Sequence, residues 1–427
     1  MFGQKVRSYM RRRGLWKTAT VGLLLAGLLA GCGNSPQPIA GFNDCVAQVS
    51  DITVPQEVKI IGLGEATHGN VELQTVKQEV FQNLVEQDMC RVFVLEGDFG
   101  GCLKVNEYIH GGAGTAKEAV AEIGFSLYRT EQMEDFVEWL RSYNETAPKE
   151  KQVSFYGFDM QRYDNNKEIL FAYLDSVEAQ GRDELETALE KLTDETAYSQ
   201  SKDVNKKAVE DMTAFLEQME QSREDYIAKT DEKSYEKAYI CGMCIMQNAT
   251  IQTGEVDYNQ TRDAYMTEKV ERILDLEDGE RIMIAGHNGH IQKVSTNASY
   301  TCMGEQLAEK YGAEYYTIGT DFMDGEVNVI NGSGEQTTVT IHHNNALKGQ
   351  LTDMEGNAFY IDFAKASQNE EVAEILQENL AMVSVGNEFS SWQKISSAFY
   401  STKSVPADNY DGLVIYKTVT PTEREGM

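Results

Sequence analysis

VKIIGLGEATHG, residues 58–69, is a short apolar run that ends in a turn carrying Glu65 and His68. A short apolar run bounded by glycines is typical of a buried strand. Gly64 and Gly69 permit a tight backbone around the polar residues, so their side chains can project from the end of the strand. The stretch therefore predicts a strand whose carboxyl end carries residues suited to catalysis or binding.

Three further apolar runs end in the same way. Residues 92–95 are followed by Glu96, residues 153–158 by Asp159, and residues 281–286 by HNGH at 287–290. The helical patterns at 71–87 and 130–144 alternate with the first three runs, as in α/β proteins with a mainly parallel sheet. Because the carboxyl ends of parallel strands share one edge, where open α/β sheets bind ligands, these titratable residues predict a single site.

The remaining chain divides by composition. Residues 164–275 contain no proline and are rich in Glu, Lys, Ala, Leu and Gln with helical periodicity, which predicts an insertion packed over the sheet and overhanging the site. Residues 320–427 contain several strand-like runs. We expect an α/β fold with a mainly parallel central sheet, flanking helices, a large helical insertion and a strand-rich C-terminal part.

The N-terminus resembles an export signal. Six basic residues precede the apolar run 19–29, which is shorter than the ~20 residues that a spanning helix needs. The run closes on LAGC at 29–32, which resembles a bacterial lipobox, with a plain secretory signal as the alternative. We expect a signal peptide at 1–31, a lipid on Cys32 that tethers the protein to the outer face of the cell membrane, a linker at 32–52 and one domain at 53–420. Arg12 and Arg13 leave both Sec and twin-arginine export open.

The charge balance limits the partners. Removal of residues 1–31 leaves 32 basic and 68 acidic residues, a net charge of −36. This balance argues against a nucleic-acid partner and against a polybasic membrane contact, so that the lipid would be the membrane attachment. The oligomeric state stays open, as does the disulfide pairing of the other cysteines, although the CxxC motif at 241–244 is read as core rather than redox-active. These cysteines are Cys45, Cys90, Cys102, Cys241, Cys244 and Cys302.

The candidate catalytic residues are His68, Glu65, Glu96, His287 and His290. A histidine beside a carboxylate suits general-base work, and two further histidines can polarise a carbonyl or stabilise an oxyanion. No serine or cysteine lies in a GxSxG motif, which favours direct attack by an activated water. The same His and Glu set could instead hold a divalent metal, so a metal-dependent hydrolase is the alternative. His342 and His343 are adjacent on a predicted strand and are expected to be non-catalytic.

These motifs resemble the erythromycin esterase family. The resemblance begins with GEATHGNVE at 64–72, covers nearly the whole chain after the signal and keeps the order of the blocks. Further matching blocks are VNEYI (105–109), WLRSYN (139–144), GFDMQ (157–161), RDAYM (262–266), HNGH (287–290), MGEQL (303–307), AFYID (358–362) and YDGL (410–413).

The resemblance implies hydrolytic opening of a macrolide lactone or another ester, usually without an essential metal or other cofactor. His68 would be the general base, Glu65 and Glu96 would orient it or the water, and His287 and His290 would contact the ester. It also implies substrate-binding roles for Lys77, Asp159 and Arg262. The export signal departs from the macrolide resistance esterases of this family, which act in the cytoplasm. A surface lipoprotein that binds a hydrophobic ligand without turnover is the non-enzymatic alternative.

Overall fold

The computed structural model describes residues 37–296 and 299–424. The strands are β1 (Val46–Ala47), β2 (Ile60–Glu65), β3 (Val92–Asp98), β4 (Ser154–Asp159), β5 (Ile282–His287), β6 (Tyr315–Ile330), β7 (Gln336–His342), β8 (Ala358–Asp362), β9 (Leu380–Val383), β10 (Ser401–Ser404) and β11 (Gly412–Val419). The helices are α1 (Val71–Glu86), α2 (Phe99–Ile109), α3 (Ala116–Glu122), α4 (Glu131–Thr146), α5 (Asp164–Ser176), α6 (Arg182–Leu189), α7 (Lys202–Gln221), α8 (Arg223–Lys229), α9 (Glu232–Gln252), α10 (Tyr258–Leu276), α11 (Asn288–Ile291), α12 (Met303–Tyr311), α13 (Ala346–Gln350), α14 (Phe363–Ala366), α15 (Glu370–Leu376) and α16 (Pro406–Asn409).

The central sheet has the strand order β1-β8-β11-β6-β2-β5-β3-β4, and β7 pairs with β6. The six strands from β11 to β4 are mutually parallel. The strands β1, β7 and β8 pair antiparallel with their neighbours. The predicted α/β class with a mainly parallel sheet and a strand-rich C-terminal part is confirmed.

Helices cover both faces of the sheet, which explains why its strands are near-continuous apolar runs rather than alternating ones. On one face, Phe93 of β3 packs with Phe81 of α1 and Phe136 of α4. The next side chain along the strand, Val94, points to the opposite face and joins a cluster with the helices α5 to α10. Residues 164–276 therefore form the helical insertion, and it packs against the sheet as predicted.

The chain order places a crevice beside β2 and β5. After β2 the chain crosses to β3 on one side, and after β5 it crosses to β6 on the other side. Strand order reverses at this point, and ligands in open α/β sheets bind outside the carboxyl ends of the strands at such a reversal. The turn after β2 carries His68, and His287 is the last residue of β5.

The N-terminal boundary of the fold differs from the prediction. Residues Phe42–Cys45 form a 3₁₀ turn, β1 pairs with β8, and a second 3₁₀ turn follows at Val49–Asp51. The predicted linker 32–52 is therefore wrong from residue 42 onward, because Phe42 and Cys45 enter a buried cluster with Phe359. The predicted signal peptide 1–31 and the lipidation site Cys32 lie outside the described residues. No helix in the described ranges is long and apolar enough to cross a membrane.

All six cysteines of the described chain are buried and free. Cys241 and Cys244 lie on α9 in the cluster between the insertion and the sheet. Burial raises the pKa of Cys244 to about 12 and raises that of Cys241 as well. Since the thiolate is the reactive form, this placement favours the core interpretation of the CxxC motif over a redox one.

Candidate active site

Four adjacent strands bring the predicted residues to one edge. Glu65 ends β2 and lies directly beside His287, which ends β5. Glu96 lies on β3, the next strand, and Asp159 ends β4. The convergence expected from the four apolar runs is what the structure contains.

His68 is held by Glu65. Its Nδ1 lies 2.7 Å from Glu65 Oε1, and both side chains are buried. A carboxylate accepts a hydrogen, so Nδ1 carries the proton and Nε2 is left as the basic nitrogen. A ring fixed in this tautomer is suited to remove a proton from water.

Lys77 supports the same carboxylate from behind. Its Nζ donates to Glu65 Oε2 at 2.6 Å, to the carbonyl of Leu73 at 3.2 Å and to Gln74 Oε1 at 3.1 Å. Burial by itself raises the pKa of Glu65, but the charges of Lys77 and His68 outweigh it and the net pKa is lowered. With 1% of its surface exposed and three donors occupied, Lys77 positions Glu65, and the predicted substrate contact is replaced by this role.

Glu96, Asp159 and Arg262 form a second ion-pair group. Arg262 Nη2 lies 2.9 Å from Glu96 Oε1 and 2.7 Å from Asp159 Oδ2. The other oxygen of Glu96 accepts the backbone N–H of His287 at 2.7 Å. Burial raises the pKa of Glu96, but the charges of His290 and Arg262 lower it further than burial raises it. Glu96 is therefore ionised and fixes the end of β5.

His287 presents a free donor beside His68. Its Nδ1 accepts the N–H of Gly289 at 3.2 Å, so that Nε2 carries the hydrogen of the neutral ring. Nε2 is buried and has no hydrogen-bond partner among the described residues. Burial and the neighbouring His68 lower the pKa of His287 to about 4, which keeps the ring neutral at physiological pH. The two ring centroids are 5.4 Å apart.

His290 belongs to the carboxylate network. Its Nδ1 lies 2.8 Å from Asp263 Oδ1, and its Nε2 lies 3.5 Å from Glu96 Oε1 and 3.1 Å from Arg262 Nη1. Burial lowers the pKa of His290, but the carboxylates of Glu96 and Asp263 outweigh it and the net pKa is raised. His290 therefore helps to fix the positions of the Glu96 and Arg262 side chains.

Glycine is required where β2 and β5 meet the site. A Cβ on Gly286 would lie 2.8 Å from Glu96 Oε2, and one on Gly64 would lie 2.2 Å from Asn288 Oδ1. The Asn288 amide itself bridges to the backbone of Thr320 on β6. The absence of a side chain at both glycines therefore allows polar groups to pack against the strand ends.

Two residues of the site were not predicted from the sequence. Asp263 follows Arg262 directly in the RDAYM block, which was a signal for it. Tyr128 had no such signal, since it lies on a 3₁₀ turn at Ser126–Tyr128 that is distant in sequence from any strand end. Its ring lies edge-on to His68 at 6.4 Å, and its buried hydroxyl has no hydrogen-bond partner in the described chain. Burial raises the pKa of Tyr128, and the charges of Glu65 and Glu96 raise it further, so the hydroxyl is a donor.

The insertion supplies one side of the site. Its last helix, α10, carries Arg262, and Tyr258 at the start of α10 donates to Gln161 Oε1 at 2.5 Å. Tyr198 donates to the same oxygen at 3.3 Å, and Gln161 Nε2 donates to Asp159 at 2.7 Å. Both tyrosine rings are exposed. These contacts place residues of the insertion beside the site, as the predicted overhang requires.

The polar side chains are already engaged with one another. Oxygens of Glu65 and Glu96 accept from Lys77, Arg262 and the backbone, as given above. Within residues 37–296 and 299–424, no three His, Cys, Asp or Glu side chains are grouped as metal ligands. A metal role for this set therefore needs a direct chelation test.

A model of the erythromycin esterase family matches residues 85–419. The chain belongs to the erythromycin esterase family. The match includes Glu96, Asp159, Arg262 and the HNGH motif, and it begins after the turn of Glu65 and His68. Family membership supports a hydrolase.

Three solved structures share the fold. A Bacillus cereus protein is 23% identical with a TM-score of 0.77, over 92% of this chain and 96% of its own. A succinoglycan biosynthesis protein is 19% identical with a TM-score of 0.72, over 86% and 89%. A mutant of the erythromycin esterase EreC in its open conformation is 16% identical with a TM-score of 0.61, over 87% and 92%. Likenesses at these identities establish the common architecture.

Proposed function

We propose that the protein is a metal-independent carboxylic-ester hydrolase that opens a macrolactone or another bulky ester with a water activated by His68. The observation that carries the proposal is the Glu65–His68 pair. A histidine with Nδ1 held by a buried carboxylate at 2.7 Å and Nε2 left basic is the arrangement that general-base catalysis requires.

The first step is addition of water to the ester carbonyl. Nε2 of His68 takes one proton from the water while its oxygen bonds to the carbonyl carbon, and the carbonyl electrons move onto oxygen. Glu65 stabilises the imidazolium that forms, and Lys77 keeps Glu65 ionised. The negative charge is then on the former carbonyl oxygen.

His287 and Tyr128 are the donors for that oxygen. His287 Nε2 and the Tyr128 hydroxyl are buried donor atoms beside His68, and neither has a hydrogen-bond partner in the described chain. Donors that are fixed before the reaction stabilise an oxyanion strongly. In the second step the C–O bond breaks, and the proton on His68 passes to the departing alkoxide.

Glu96, Arg262, Asp159 and His290 act as supports in this scheme. Glu96 fixes the backbone of His287, and Arg262 joins Glu96 to Asp159. These contacts hold the donor in place rather than touch the reacting atoms. The macrolide class of substrate is proposed from family membership, and the exposed tyrosines of the insertion would contact its apolar body.

The test is mass spectrometry of erythromycin incubated with the protein, with and without a chelator. We expect a product heavier by one water in both samples, and its loss on chelation would favour the metal-dependent alternative. The His68→Ala variant should give no product, whereas His342→Ala should retain activity because the His342 side chain is exposed and pairs with Asp324 on β6, away from the site.

Two results would contradict the proposal. Normal turnover by folded His68→Ala would exclude the mechanism. Erythromycin that binds and is recovered intact would favour the non-catalytic surface protein. We also propose that Cys32 carries a lipid and that the domain lies on the outer face of the cell membrane.

A further inference from the structure

One loop of the protein exposes three large apolar side chains. Trp392, Ile395 and Phe399 are 54%, 81% and 47% exposed. The rings of Trp392 and Phe399 pack edge-on at 4.8 Å, so they hold each other at the surface and do not enter a core. Monomeric soluble proteins rarely expose a contiguous apolar patch without a binding role. We call residues 389–400 the apolar loop.

The charge of this segment is opposite to that of the chain. Residues 389–407 contain no Asp or Glu, although the full sequence has 68 acidic residues in 427. The same stretch contains Lys394 and Lys403. Tryptophan with lysine is the combination found where proteins contact the interface of a membrane, and lysines near the surface are attracted to anionic lipids.

The loop is attached to the part of the fold that receives the N-terminus. Its base is the antiparallel pair of β9 and β10. Leu380 and Met382 of β9 belong to the buried cluster that contains Phe42.

We propose that the apolar loop inserts into the headgroup region of a bilayer that contains anionic phospholipid. Trp392, Ile395 and Phe399 would enter the boundary between headgroups and acyl chains, and Lys394 and Lys403 would contact lipid phosphates. Val385, four residues before the loop, donates its N–H to the carbonyl of Ala66, two residues before His68. The proposed insertion does not depend on ester hydrolysis.

Vesicle binding by residues 39–427 tests the proposal without the lipid anchor. This segment forms one compact unit. The probe is co-sedimentation with vesicles of phosphatidylcholine and phosphatidylglycerol, compared with phosphatidylcholine alone and repeated at high salt. We expect binding that increases with the anionic lipid, falls with salt and shifts the emission of Trp392 to the blue.

A triple variant separates the loop from the rest of the surface. Trp392→Ser with Ile395→Ser and Phe399→Ser should weaken vesicle binding at least about 10-fold, since each substitution removes apolar area from the contact with the bilayer. The matched control, Val256→Ser with Val294→Ser, removes exposed apolar residues elsewhere and should bind like the parent. Circular dichroism verifies that both variants are folded.

Two outcomes overturn the proposal. In the first, the parent does not bind either type of vesicle, or the triple variant binds as well as the parent. In the second, the triple variant raises the KM for an ester while the parent shows no vesicle binding, which would assign the loop to the substrate rim. Vesicle binding by a protein that fails to hydrolyse any ester would support the loop and refute only the proposed function.

Discussion

Replacement of Lys77 by Met should destabilise the protein and stop its chemistry. Lys77 Nζ lies 2.6 Å from Glu65 Oε2, and both side chains are almost fully buried. Met is similar in length but carries no charge, so the variant leaves the Glu65 carboxylate in a buried position without its cation. Removal of one partner of a buried ion pair costs about 3–5 kcal/mol.

The pH dependence has a defined sign. In the native protein the net pKa of Glu65 is lowered, so its contribution to stability is present above the ordinary value of 4.5 and is lost as pH falls below it. Without Lys77, burial raises the pKa, and the carboxyl then destabilises the fold as pH rises. The stability difference between the parent and Lys77→Met should therefore grow from acid to neutral pH.

A second variant separates the charge from the packing. Lys77→Met combined with Glu65→Gln removes both charges of this pair and should recover most of the lost stability. It should not recover activity, because a neutral amide stabilises the His68 imidazolium poorly. Leu84→Ala on the same helix, at a buried position that is not part of the site, controls for damage to α1.

Urea unfolding followed by circular dichroism, at several pH values, measures these differences. Ester hydrolysis is measured on the same samples under conditions where each variant is folded. A Lys77→Met protein as stable as the parent at neutral pH would refute the buried-pair reasoning. Equal losses in the single and double variants would also refute it, since packing alone would then account for the effect.

Four further variants or conditions test other parts of the site. Tyr128→Phe should lower kcat about 100-fold with little change in KM, and an unchanged kcat would remove its hydroxyl from the oxyanion site. Gly286→Ala should displace Glu96, cost about 1–3 kcal/mol in urea unfolding and lower kcat; parental behaviour would contradict the close approach. The pKa of His287 is lowered to about 4 from 6.5, so the unfolded chain binds this proton before the folded protein does as pH falls. The folded protein should therefore lose about 3 kcal/mol of stability between pH 6.5 and pH 4. An equal loss in a His287→Asn protein would contradict the assignment of this effect to His287. Cys32→Ala should move the protein from the membrane fraction to the soluble one, and persistent association would count against the lipidation site.

The strands and the site edge could be predicted because their signals are local. Each parallel strand is buried on both faces, so it is a short apolar run with a polar residue at its end. The predicted starts and ends differ from the observed ones by at most three residues for the four site strands, as for β2 at 60–65 against 58–63. Because the strands are parallel, the positions of their carboxyl ends also predict which residues lie together at one edge of the sheet.

The remaining features depend on tertiary contacts. The Gly, Asn, Ser and Pro residues at 33–38 predict a linker up to residue 52, yet Phe42 and Cys45 are buried by residues more than 300 positions away. Tyr128 reaches His68 from a turn with no periodic pattern. The placement of Lys77 behind Glu65 depends on how α1 packs on the sheet, and its sequence position on a helix is equally compatible with a solvent-facing lysine.

The origin of Arg262 has a consequence for how this enzyme family can diversify. Arg262 and Asp263 come from α10, the last helix of the insertion, whereas the groups they hold come from the strands β3 and β4 and from His290, just after β5. The helices before α10 take no part in these ion pairs, so an exchange that preserves their packing on the sheet would leave the pairs in place and change the surface beside the crevice. The final helix has to be kept, because a chimera without Arg262 would leave the buried carboxylates of Glu96 and Asp159 without this cation. Libraries that aim for new specificity should graft the segment before residue 258 and keep α10 as the junction.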